Sequence, residues 1–280
     1  MNGYLFALPM LWLWMRLEDR AGSTSSLADS DADCPATRAH TDRWAIVVAG
    51  LCFTGDLAVW HWSLRFTTVA NSTLLTNFAP FFVMLGARIL FAERIHSNLI
   101  LGLLLAFAGG AMLVGQSLKL TAAHVLGDGL ALVTAVFYAG YLLTVKHLRR
   151  TATTSRIMFY SGLVSCPALL VVTLLSEKSL LAASGNGWLV LIAMALVSQV
   201  GGQGLIAFAL AHLPASFSAV GLLWQPVVAA FLAWLLLGEP MSWLQIGGGA
   251  VVLAGIAVAR TRPEGTPQLV AGVLPRGPNR

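Results

Sequence analysis

A chain of 280 residues in which only 10% are charged lacks the surface of a soluble domain, where about 25% would be. Hydrophobic types make up 57%, glycine contributes 27 residues and tryptophan nine, the composition of a chain folded against lipid. The formal charge of +5 is not gathered into a basic stripe, which argues against nucleic acid as a partner, and Cys34, Cys52 and Cys166 are too scattered for a disulfide framework or a metal cluster.

A membrane-spanning helix needs about 20 mostly apolar residues. The first apolar run, Tyr4 to Met15, is shorter and ends at Arg16, Glu18, Asp19 and Arg20, so it reads as the tail of a span. It is a poor signal peptide, because no basic residue precedes it and no Ala-x-Ala site follows closely. Residues 16–43, with Gly22 to Ser26 and the acids Asp29, Asp31 and Asp33, read as a mobile polar loop. Eight full-length runs follow, over 44–63, 68–91, 98–117, 125–146, 156–175, 187–210, 214–237 and 241–259. They are too long for sheet strands and lack the alternation of an outer-membrane barrel. Beyond Arg260, the prolines Pro263, Pro267, Pro275 and Pro278 predict a disordered tail over 261–280.

Nine spans with the N-terminus outside place fourteen Lys and Arg on the inner side, from Arg16 through Arg88, Lys146 and Arg150 to Arg280. Only Arg65, Lys119 and Lys178 fall outside, the bias that the positive-inside rule expects. The expected location is therefore a bacterial inner membrane or a plasma membrane, crossed many times.

A repeat is visible at an offset of 146: Pro80 pairs with Pro226, Glu93 with Glu239, Gly102 with Gly248 and Gly109 with Gly255. Equivalent elements are five spans apart, and an odd number reverses direction across the membrane. The fold class expected is an all-α polytopic protein of two inverted repeats, 1–117 and 118–260. A complete pair has ten spans; the one equivalent to 125–146 would precede Met1, which leaves nine and makes the first repeat incomplete.

Asp56 is the first functional candidate, because a carboxylate deep in a span costs on the order of 2.5–3.5 kcal/mol and seldom faces lipid. It reads either as a proton or cation site, with His61 as a possible companion, or as a structural carboxylate. Gln199 and Gln203 share a helix face, and they either bind a polar solute or join helices. Asn77 and Gln225 put hydrogen-bonding groups beside Pro80 and Pro226, whose kinks free the carbonyls of Thr76 and Leu222 for a substrate or for a neighbouring donor. Tyr138 and Tyr141, three apart, either stack on a substrate or belong to the core. Asp128, between Gly127 and Gly129, reads as solvated or as a helix cap. Glu93 and Glu239 sit at turns and read as braces between helix ends. No catalytic triad, metal-ligand spacing or phosphate-cradling loop is present, so neither an enzyme nor an ATP-driven pump is expected, and no cofactor is implied.

Ala79-Pro80 followed by Ala92-Glu93-Arg94, Gln225-Pro226 followed by Gly238-Glu239-Pro240, and the Gly-rich last span of each half resemble the drug/metabolite transporter superfamily, within it the EamA-like permeases. The resemblance covers about 44–260. It implies two inverted five-helix halves, a central cavity, and export or exchange of a small metabolite or amino-acid-like solute by alternating access. The partners expected are membrane lipid, that solute, protons as coupling ion and a second copy of the chain. The alternative is a truncated paralogue with a structural or interaction role and no transport.

Overall fold

The computed structural model describes residues 2–23, 35–115, 124–176, 184–238 and 241–261. These residues form an all-helical bundle in which eight helices are long and apolar enough to cross a membrane, from Arg43–Ser63 to Trp243–Arg260. Their bounds lie within a few residues of the runs read from sequence, because charge, proline and asparagine end both the apolar run and the helix. The apolar surface is turned outward: Leu175 is 82% exposed and Val197 74%, an arrangement that only lipid makes favourable.

The chain begins with α1 (Asn2–Ser23), followed by α2 (Pro35–Ser63). Ala7, Leu11 and Met15, four apart, form the buried face of α1, whereas Met10, Trp12 and Leu13 are exposed. The polar stretch read as a loop over 16–43 is therefore a correction. Helix occupies most of it, because α1 continues through the good helix formers beyond Met15 and Pro35 suits a first helical position. Residues 24–34, the tail from 262 onward and Glu239 lie outside the described residues.

The span carrying Pro80 is divided into α3 (Val69–Thr76) and α4 (Ala79–Leu90), and α5 (Ser97–Val114) follows. Next come α6 (Val125–Leu148) and α7 (Thr154–Ser176). The following span is composite: α8 (Gly185–Met194), a π-helical segment Ala195–Gly202, and α9 (Gln203–His212). The span carrying Pro226 is likewise broken, into α10 (Ala215–Gly221), a single 3₁₀ turn Leu222–Trp224, and α11 (Gln225–Leu237). The last helix is α12 (Trp243–Arg260), started by a capping box of Ser242 and Gln245.

Two cores hold the bundle. The larger joins α1, α2, α6, α7 and α9 around Phe53, Leu142, Ile157 and Leu210. The smaller joins α5, α10 and α12 around Leu103, Val220 and Val252. Within it α5 and α12 run antiparallel with their backbones touching: a Cβ on Gly102 would lie 2.4 Å from the Gly255 carbonyl, and one on Gly109 2.5 Å from the Gly248 carbonyl. Only glycine permits that approach.

A candidate substrate cavity between the proline-containing helices

The two proline breaks face one another. Between them lies a small cavity lined by Thr76, Asn77 and Pro80 of the first break, by Leu222, Leu223 and Gln225 of the second, and by Tyr138 of α6. At the offset of 146, Thr76 corresponds to Leu222, Asn77 to Leu223 and Ala79 to Gln225, so matching positions of the two halves close the same space.

The breaks follow from the prolines, and the backbone around them is largely satisfied. Asn77 N–H donates to Thr73 O at 3.1 Å, Phe78 N–H to Leu75 O at 3.1 Å and Phe81 N–H to Phe78 O at 2.9 Å. Gln225 N–H donates to Leu222 O. The Leu222 carbonyl freed by Pro226 is thus taken by the 3₁₀ turn, and there the kink shapes the bundle and offers the cavity no acceptor. Side chains supply the polarity instead. Among the described residues the buried Asn77 Nδ2 has no hydrogen-bond partner, and the side chains of Tyr138 and Gln225 line the same space.

The two tyrosines divide. Tyr141 is core, its ring 5.0 Å from that of Phe53 and its hydroxyl 3.7 Å from Met158 Sδ. Tyr138 stacks on Tyr141 with centroids 6.4 Å apart and turns toward the cavity. Asp56 lies three residues beyond Phe53, on the α2 face that also buries Ala49, within electrostatic reach of both tyrosines. It is half-buried, and among the described residues no hydrogen bond or ion pair reaches its carboxylate. His61 is not its companion: exposed near the end of α2, its Nδ1 lies 2.7 Å from Leu57 O and its ring is set edge-on to Trp60.

Gln199 and Gln203 do not line this cavity. They sit in and just after the π-helical segment, which packs on α1, and each has a buried Oε1 without a partner among the described residues. Nothing in their i,i+4 spacing announces the π turn; the adjacent Gly201 and Gly202 are its sequence correlate.

Glu93, read from sequence as a brace, finds partners far along the chain. Glu93 accepts from Ala215 N–H at 2.8 Å, Ser216 N–H at 3.2 Å and Ser216 Oγ at 2.7 Å, capping α10. Lys146 Nζ donates to Leu210 O and Leu213 O, both at 2.8 Å, so the α9–α10 turn is held by an anion at one helix start and a cation at the other helix end. At the opposite end of the bundle Asp128, in the first turn of α6, accepts from Thr67 Oγ1 at 2.6 Å and Asn71 Nδ2 at 3.3 Å, tying α6 to the α2–α3 turn. It is neither simply solvated nor a cap of its own helix. Among the described residues no group of three or more His, Cys, Asp or Glu is placed to hold a metal.

The model of the EamA-like transporter family matches residues 3–115 and again 125–261. A pseudopaline exporter of Pseudomonas aeruginosa is 28% identical over 218 residues, 78% of this chain and 75% of its own. A probable amino-acid metabolite efflux pump of Salmonella typhimurium is 26% identical over 217 residues, 73% of this chain and 72% of its own. A protein crystal structure 20% identical in sequence superposes with a TM-score of 0.71 over 93% of this chain and 88% of that one, and so shares its fold.

Proposed function

The chain belongs to the EamA-like transporter family, and from that premise we propose that it is a secondary exporter or exchanger of a small metabolite or amino-acid-like solute, working by alternating access at the cavity between the two proline breaks. One observation carries the reading: the cavity is closed by residues of the two halves that correspond at the offset of 146. A site shared between inverted repeats is the arrangement from which rocking exposes one side and then the other. The reciprocal glycines support the inversion. Gly102 meets Gly255, the counterpart of Gly109, and Gly109 meets Gly248, the counterpart of Gly102, as a two-fold axis in the membrane plane requires. The left-handed residues do so too, since Ala92 at φ 51° and Gly238 at φ 68° occupy equivalent turns.

Asp56 is the coupling residue in this reading, a carboxylate among apolar helices that exchanges a proton or a cation as the cavity changes sides. Uptake into everted membrane vesicles is expected to depend on pH, and Asp56→Asn to remove that dependence. Wild-type uptake by the mutant at normal expression, with the pH response unchanged, rejects Asp56 as the coupling group. The expected setting is a bacterial inner membrane or a plasma membrane, with the basic end of the bundle, near Lys146 and Arg150, in the cytoplasm.

A further inference from the structure

We propose that Glu93 and Lys146 form a latch that shuts the candidate cavity toward the basic end of the bundle, and that a solute passes that end only when both release the α9–α10 turn. The proposal rests on the alternating-access reading and names the contacts that break in it.

The wall on one side of this exit is α4 together with α6. Gly86 of α4 lies against Leu143 of α6, and at their ends the Arg150 guanidinium carbon sits 5.0 Å from the centre of the Phe91 ring. The other side is the start of α10. All three helices line the cavity, α4 through Ala79 and Pro80, α6 through Tyr138 and Leu142, and α10 through Ala219. Lys146 is about 12 Å beyond Tyr138 along α6, and Ala215 about 10 Å before Leu222 along α10, so the same helices meet again between the cavity and the basic end.

What fills the intervening level is apolar and closed. Val83, Ala87, Leu142, Val145, Ala215 and Ala219 are each at most 1% exposed and belong to one core. Three of them are alanines, which bury little area, so apolar contact alone holds the two sides weakly. The charged groups beyond this plug supply the rest. Glu93 accepts from Ala215 N–H, Ser216 N–H and Ser216 Oγ, so a carboxylate on the wall grips the positive start of α10. Lys146 Nζ, on the same wall, grips the carbonyls of Leu210 and Leu213 at the end of α9. Because the two charges hold mainly backbone groups of one short turn, they release together when that turn moves as a body. Among the described residues the opposite end has no such seal: none of the α11 positions that match the buried Ala79, Pro80, Val83 and Ala87 of α4 is buried.

The test places a single cysteine on the cavity wall, Ala219→Cys, in a full-length chain whose own cysteines are replaced by serine or alanine. Its reaction with a membrane-impermeant methanethiosulfonate is followed in everted vesicles, which expose the basic end. Labelling is expected to be slow with Glu93 and Lys146 in place, and at least about tenfold faster with Glu93→Ala or Lys146→Met, the population gained when hydrogen bonds to a charged group are lost. Glu93→Gln keeps an accepting oxygen and should fall between. Ala49→Cys, buried in α2, reports general loosening. Labelling of Ala219→Cys as fast as at the exposed His147→Cys, with Glu93 and Lys146 intact, overturns the latch whether or not the variants fold. Unchanged rates in both variants overturn it too, as does equal acceleration at Ala49→Cys. Counterflow of radiolabelled amino acids in proteoliposomes is read separately: its absence beside a labelling shift removes the transport reading and leaves the latch standing, and counterflow without a labelling shift does the reverse.

Discussion

Ala92 has a positive φ of 51°, alone in this among the described residues other than glycine. A side chain in that conformation costs roughly 1–2 kcal/mol because Cβ crowds the following carbonyl. The turn is imposed from both sides: Phe91 N–H and Glu93 N–H both bond to Ala87 O, at 3.0 and 3.2 Å, and Glu93 must then reach α10. Its counterpart in the second half is Gly238, which takes the same conformation without strain. Ala92→Gly should therefore raise the midpoint of thermal unfolding in detergent by the equivalent of about 0.5–1 kcal/mol, the strain relieved less the added freedom of the unfolded chain. A lowered midpoint would show that the alanine methyl makes a contact worth more than the strain.

At the level of helices, the α5–α12 seam separates glycines that pack from glycines that do not. A Cβ on Gly109 would meet Gly248 O at 2.5 Å and Val252 N at 2.6 Å, whereas one on the neighbouring Gly110 meets nothing within 4 Å. Gly109→Ala should thus unfold or disperse the protein in size-exclusion chromatography. Gly110→Ala should be neutral or stabilising by up to about 1 kcal/mol, the helix propensity gained. Equal behaviour of the two variants sinks the close-packing account. This seam was partly legible, since Gly102, Gly109, Gly248 and Gly255 stand out in the repeat, but which glycine meets which was not. The spans themselves were legible because lipid enforces length and composition together, and the two breaks were legible because proline removes a helix bond at a known place. The π-helical segment had no such marker, and the partners of Glu93 and Lys146 lie 122 and 64 residues away, where no local pattern points. Asn77 and Gln225 were legible as polar groups beside the prolines, and both line the candidate cavity. The separation of Tyr138 from Tyr141, and of His61 from Asp56, depends on rotamers and helix packing that one sequence does not encode locally.

For the whole molecule, the described helix ends fall at one of two ends of the bundle. One end carries Arg94, Lys146, Arg149, Arg150 and Arg260 and the Glu93 and Lys146 contacts to the α9–α10 turn; the other carries Arg65 and the Asp128 contacts. Cysteines placed at the exposed positions Arg65 and His147 should report this sidedness. In intact cells a membrane-impermeant maleimide is expected to label the Arg65→Cys variant, and to label His147→Cys only after permeabilisation. Labelling of His147→Cys in intact cells, with Arg65→Cys protected, would invert the topology.

The α5–α12 contact also bears on how the bundle moves. Side chains that interdigitate can change rotamer and let helices slide, but two backbones in contact through glycine have no such compliance. A shift of one residue along the seam would drive Ala106, Val252 or Ala259 into the opposing main chain. The two helices therefore behave as one strut, and any rearrangement around the cavity is left to the helices that surround it.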